Sequence, residues 1–514
     1  MAATGIVLGF YRDHEAAAEV LHELHKQHFY RSALIRKDAA NRLSIDHPSF
    51  AAYGALAGTA LGVLAARFMP WSAVLRPLPV LAGAGAGWLL AKELEPSVQQ
   101  AVLESYQKWV LREETLVIVQ TPVERMAATL AVLRQNNGHP TTFIARPREI
   151  FDAGRTVAPL RREVLPVERL REHAVRLARR HQTELRPAPR PHERFGRTRP
   201  LLRRLRDNDR IIAHVNRDLA EAARLEQPVS LSAEWLLDNA YIVETQIHEV
   251  RDNLSQHFYS ELPVIASRRR QPIPRVYSLA CELVAHTEAR LDRAHIHDFL
   301  AAYQSVVPLT MGELWAFPLM LRLALIENLR RLTVQVDKLQ HDRERADFWA
   351  NRLLNAAHRD PDRILALLAD LAAEHPNPDP HFADRLISHL YDEEAALAAV
   401  RGWIERKLEA PLAEIIQRDR RRQAADQVSV ANSITSMRLL GQIDWREAFE
   451  NLSVVEQALQ QDPGGVYRQM DFATRDCYRH EIERLARGTP ISELEVARQA
   501  VQTAGRVWED GSVG

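Results

Sequence analysis

The sequence predicts an α+β protein: an N-terminal ferredoxin-like unit with an inserted Gly-rich helical hairpin, followed by a large all-α domain. Three observations lead there. Strand–helix–strand patterns flank an insertion with two uncharged, glycine-marked arms in residues 1–150. An Arg/Pro-rich stretch, expected to be a basic linker, covers 151–230. From 231 to 505, apolar residues recur at three- and four-residue intervals, the period of a helix with one buried face. A chain of 514 residues can bury the cores of two or three domains, and 46% hydrophobic against 26% charged residues is the balance of a folded protein.

Thr4 to Tyr11 is a short apolar run that reads as a strand. Asp13 to Gln27 reads as a helix with Ala16, Val20, Leu21 and Leu24 on one face, and Tyr30 to Arg36 as a second strand. After the insertion, Pro96 to Arg112 reads as a helix, Thr115 to Gln120 as a strand, Pro122 to Asn136 as a helix and Thr141 to Arg146 as a strand. Two βαβ-like halves of this kind predict a small ferredoxin-like sandwich.

The insertion, 50–91, has two arms without charge, Phe50 to Ala66 and Pro77 to Ala91. Gly54, Gly58 and Gly62 stand four apart, and Gly83, Gly85 and Gly87 mark the other arm. Small residues at that spacing form one stripe of a helix and let a second backbone approach closely, as helices do in lipid. A membrane-embedded hairpin is the expectation, with Trp71 and Trp88 at the interface. A buried hairpin in a water-soluble core remains the other reading, because each arm falls short of the roughly 20 residues of a full span.

Val164 to Gln182 reads as an amphipathic helix with a basic face. Between Arg186 and Arg206 stand eight arginines and one glutamate, with three prolines in the first half. Contact with anionic lipid headgroups and a solvated linker are equally compatible with that composition. Nucleic acid is not expected as a partner: Lys+Arg and Asp+Glu both number 67, and only Phe195 interrupts these arginines as an aromatic.

In the helical half, Trp235 to Val250 forms one apolar stripe, and further helices are expected at Val276–Arg290, Ile296–Val306, Met311–Val334, Pro361–Glu374, Phe382–Trp403, Gln423–Gly441, Trp445–Asp462, Asp471–Arg487 and Ile491–Ala504. Pro263, Pro274, Pro308, residues 375–380 and residues 462–465 separate them. Thr310 with Glu313, and Ser492 with Glu495, have the spacing of capping boxes. Leu314 to Leu325 is apolar nearly all round and marks a central core helix, with Pro318 expected to kink it. Glu327 and Arg331, four apart, are expected to pair on its surface.

Chemistry-bearing motifs are sparse. The two cysteines, Cys281 and Cys477, build neither a disulfide framework nor a thiolate zinc site. Two Asp-x-Asp matches, Asp207-Asn208-Asp209 and Asp360-Pro361-Asp362, do not follow strands and read as a surface turn and a helix cap. His22 and His25 share a helix face without a third ligand, and His295 and His297 are spaced wrongly for one face. Asp238, Asn239, Tyr241, Glu244 and His248 form a polar set that reads either as a recognition face or as helix-packing hydrogen bonds. No catalytic residue, cofactor-binding residue or metal ligand is assigned.

Three long, ordered blocks resemble the N-terminal region of cyclic β-1,2-glucan synthases, ahead of the glycosyltransferase domain. The first comprises WLLDNAYIVETQIHEVRDNL at 235–254, PRVYSLACELVAHTEARLD at 274–292 and FLAAYQSVVPLTMGELWAFPLMLRLALIENLRRL at 299–332. The others are RRQAADQVSVANSITSMRLLGQIDWREAFENLSVVEQAL at 421–459 and DPGGVYRQMDFATRDCYRHEIERLAR with SELEVA within 462–497. The resemblance does not extend to residues 1–230. It implies a bacterial inner-membrane enzyme that polymerises glucose from UDP-glucose with a divalent metal. The family's Gln-x-x-Arg-Trp motif does not occur here, so none of its catalytic residues is carried over. The expectation is therefore a fragment-like, non-catalytic module with no cofactor of its own, inactive alone, anchored in the inner membrane through 50–91, its helical domain cytoplasmic and docked on a downstream transferase. A free-standing membrane-associated helical scaffold is the alternative.

Overall fold

A computed structural model describes residues 4–11, 13–29, 31–37, 43–46, 110, 115–122, 125–135, 139–144, 162–186, 200–224, 229–254, 261–265, 273–359, 361–391, 394–487, 489 and 491–509. The chain is mostly helical with a small antiparallel sheet near its N-terminus, and it divides into two compact units. The first unit joins residues 1–148 to 221–228 and 339–419, and the second holds 149–220, 229–338 and 420–514. The helical residues beyond 231 are thus divided between both units. The glycine-rich insertion expected at 50–91 lies outside the described residues, as does most of the helix expected at Pro96 to Arg112. Among the described residues, no helix is long and apolar enough to cross a membrane.

In the first unit, β1 (Thr4–Tyr11), β2 (Ser32–Lys37), β3 (Leu43–Asp46), β4 (Thr115–Pro122) and β5 (His139–Ile144) form one sheet in the order β3-β2-β4-β1-β5. Every pairing is antiparallel, with Val7 opposite Val119 in the centre. Side chains alternate between the two faces of a strand. On one face, Val7, Tyr11, Leu34, Val117 and Val119 pack with Val20, Leu24, Leu130 and Leu133 of α1 (His14–Lys26) and α2 (Met126–Gln135). On the other, Leu8, Phe10, Ile35, Leu116 and Ile118 join residues from 346–415. Phe10 meets Phe348 with ring centroids 6.3 Å apart, and the Arg352 guanidinium lies 4.9 Å from the Phe10 ring. A sheet covered on both faces is why these strands read as unbroken apolar runs. The edge strand β3 was not expected from sequence: it is four residues long, and Leu43 and Ile45 are exposed, so it lacks a buried face to impose a pattern.

Inside the stretch expected as a basic linker, α3 (Val167–Glu184) and α4 (Pro200–Arg224) are helices. Pro200 opens α4 at a position where proline costs no intrahelical hydrogen bond, and buried Leu201, Leu205, Ile212, Val215 and Leu219 follow helical spacing. In the second unit they join the core that includes α5 (Leu231–Asp238), α6 (Ala240–Asn253), α7 (Arg275–His286) and α8 (Arg293–Gln304).

The expected helix from Met311 is much longer than its apolar stretch: α9 runs Met311–Arg359. Good helix formers without glycine continue to the proline at 361, and nothing stops the helix earlier. It contains Pro318, whose carbonyl accepts from Arg322 Nη1 at 3.4 Å. The first unit continues with α10 (Ile364–Glu374), α11 (Pro380–His389) and α12 (Glu394–Leu408), so the expected Phe382–Trp403 helix is two helices. Next come α13 (Leu412–Leu440), α14 (Trp445–Leu452), α15 (Val454–Leu459), α16 (Phe472–Arg487) and α17 (Glu493–Glu509). The expected Trp445–Asp462 helix breaks at Ser453, whose hydroxyl accepts from the Glu456 amide and caps a new helix.

Candidate functional site

The start of α9 is built by local chemistry. Thr310 Oγ1 accepts from the Glu313 amide at 3.2 Å while Glu313 Oε2 accepts from the Thr310 amide at 3.0 Å, the reciprocal capping box expected from sequence. Glu313 is fully buried and also accepts from Arg275 Nε at 2.8 Å and from Arg275 Nη2. A bidentate guanidinium–carboxylate pair is how two buried charges satisfy each other. Burial disfavours the Arg275 charge, but Glu313 outweighs it and holds the guanidinium protonated.

Above this helix start lies a cleft of about 560 Å³, whose walls include Trp315, Phe449, Arg479, Glu483, Arg487 and Glu493. Trp315 stacks on Phe449 with centroids 4.6 Å apart and meets Phe472 edge-on at 6.4 Å. Arg479 lies 4.5 Å from the Phe472 centroid and donates to Glu456 Oε2 at 2.9 Å. Tyr467 donates to the same oxygen at 2.8 Å, and Arg475 and Arg479 both reach Glu450. Burial, followed by Glu456, pushes the Tyr467 hydroxyl far above its ordinary value, so it stays protonated and can donate to Glu456. Asp462 accepts from the amides of Gly464, Val466 and Tyr467, and Gly465 occupies the left-handed region at φ 66° that this turn requires.

Glu493 accepts from the first amide of α9, Met311 N–H, at 2.8 Å. Burial pushes its carboxyl up to about 7 against the opposing pull of that amide, and nearby Glu483 and Glu313 push the same way. Glu483 is held by Arg487 at 2.8 Å. The cleft therefore combines an aromatic ledge, paired charges and one carboxyl that is half protonated near neutrality. That set suits contact with a polar surface, and burial brings the Glu493 carboxyl into the range where it can exchange a proton near neutral pH.

A second constellation lies in the same unit. Glu282 and His286, one turn apart on α7, face His173 of α3. His173 Nε2 stands 2.9 Å and His286 Nε2 3.6 Å from Glu282 Oε2, and the three ligand-type atoms lie within 4.8 Å of one another. Arg162 donates to the same carboxylate oxygen at 2.7 Å.

The residues singled out from sequence are dispersed. Asp207, Asn208 and Asp209 lie within α4, where Asp209 pairs with Arg251 at 2.6 Å and Asn208 is buried. Asp362 lies in the short 3-10 turn before α10, and Asp360 is outside the described residues. Asp207, Asp209 and Asp362 do not lie at strand ends. His25 bonds Ser32 at 3.1 Å and His295 pairs with Asp292 at 2.6 Å. Within the polar set around Asn239, Arg438 donates to Asn239 Oδ1 at 2.6 Å, which makes that member a packing contact, while Tyr241 is exposed. Glu327 is buried rather than exposed and accepts from Arg204 at 2.5 Å, while Arg331 donates to Asn328. The Glu282/His286 spacing of four carries a visible signal for a shared face. His173, separated by 109 residues, carries none.

No family model matches the chain. Over 302 residues, 58% of its length, it is 34% identical to the cyclic beta-(1,2)-glucan synthase NdvB of Rhizobium meliloti (strain 1021). The matched region amounts to 10% of that relative, so the chain spans a small part of its length.

Proposed function

We propose, because this chain belongs to the cyclic β-1,2-glucan synthase family, that it acts in glucan biosynthesis as a non-catalytic module that docks on or regulates a transferase. The observation that carries the reading is the 34% identity over 302 residues. Two features support it. Glu483 in the cleft wall, and Glu450 and Glu456 beside it, are each tied to arginines, the usual state of structural and docking surfaces. Asp207 and Asp209 lie within a helix and Asp362 in a 3-10 turn, away from the strand ends where a carboxylate-held cation would meet a sugar-nucleotide diphosphate. The strand order with α1 and α2 on one face supports a ferredoxin-like unit at the N-terminus. We extend the reading to residues 50–91 entering the inner membrane, with the helical residues on its cytoplasmic side.

The test is incubation of the purified chain with labelled UDP-glucose and magnesium or manganese. No protein-linked or released glucan is expected. Metal-dependent incorporation by the chain alone would refute the non-catalytic reading.

A further inference from the structure

The His173–Glu282–His286 constellation has the parts of a metal centre, and it is independent of the glucan reading. His286 is 7% exposed. Its Nδ1 bonds the Glu163 carbonyl at 2.8 Å, so that nitrogen carries the proton and Nε2 carries the lone pair. Nε2 is buried, without a hydrogen-bond partner, and aimed at Glu282. An imidazole oriented by a carbonyl behind it is the ordinary outer support of a metal ligand. The supporting segment is itself fixed: Arg162 N–H donates to the Ala285 carbonyl and Leu165 N–H to the His286 carbonyl. His173 faces His286 with ring centroids 4.4 Å apart.

The ligand-type atoms of a tetrahedral zinc site stand about 3.4 Å from one another, given zinc–ligand bonds near 2.1 Å. The two distances to Glu282 Oε2, 2.9 and 3.6 Å, bracket that value. We propose that His173 Nε2, Glu282 and His286 Nε2 bind one zinc-class divalent ion, with the fourth position left to water or an exogenous ligand. Arg162 is the built-in competitor: its side chain is 45% exposed and can swing off Glu282 when the ion enters.

The full chain is titrated with Zn²⁺ against a chromophoric chelator, and with Co²⁺ followed by visible absorption. One equivalent with the intense d–d bands of a tetrahedral site is expected. His286→Ala and His173→Ala should each weaken binding on the order of 100-fold or more, and Arg162→Gln should tighten it about tenfold. Failure of the folded wild-type chain to bind one equivalent, or binding that survives loss of both histidines, overturns the site. A thiolate charge-transfer band, placing the ion on a cysteine, also overturns it. If a histidine variant fails to fold, the wild-type cobalt spectrum and the Arg162→Gln affinity decide the question.

Discussion

Glu493 carries a pH signature that one substitution can isolate. Its folded carboxyl titrates near 7 while the unfolded one titrates near 4.5, so the folded state holds the extra proton between those values. The stability this contributes is fully present below 4.5 and is lost as pH rises through about 7. Burial that keeps His181 and His375 neutral, each pushed down to about 4, acts in the opposite sense, so the wild type alone is a poor readout. The difference from Glu493→Gln isolates the effect, because glutamine keeps an acceptor for Met311 N–H and cannot ionise. Urea melts at pH 5 and pH 7.5 should show wild type losing on the order of 2 kcal/mol relative to the variant. Equal pH dependence in both proteins would show that Glu493 is not perturbed. The capping partners Thr310 with Glu313 and Ser492 with Glu495 were legible because capping is local in sequence. The partners of Glu313 and Glu327 were not, since Arg275 and Arg204 come from helices 38 and 123 residues away.

At the level of elements, the four long strands of the sheet were legible within a few residues, but the cover on their second face was not. The apolar runs in β1 and β4 say that both faces are buried without saying by what. The answer is a set of helices from 346–415, which the helical period alone assigned to a separate domain. The length of α9 was missed for a related reason: its later turns are charged, and only the absence of a stop signal betrays them. Close packing of β1 on α2 fixes the choice at Gly9. A Cβ there would stand 3.0 Å from both Leu133 Cδ2 and Tyr11 Cε2. Alanine normally favours a strand interior over glycine, so the clash decides the sign. Gly9→Ala should cost about 1–3 kcal/mol in a denaturant melt. An unchanged or raised midpoint would mean that the interface between β1 and α2 is looser than described.

At the scale of the whole molecule, the cleft gathers residues from the three separated blocks of sequence that carry the family resemblance. Met311 and Trp315 come from the first, Phe449 from the second, and Arg479 and Glu493 from the third. Each block reads as a run of helices on its own, and only the fold brings them to one place. A docking module needs such a surface, with an aromatic centre and a charged rim. The decisive measurement is binding of the purified chain to the transferase domain of a cyclic β-1,2-glucan synthase, by calorimetry with wild type and Trp315→Ala. Saturable 1:1 binding, weakened at least about tenfold by removing this aromatic anchor, is the result predicted. A folded wild-type chain that shows no binding, or that makes glucan from UDP-glucose unaided, would contradict it.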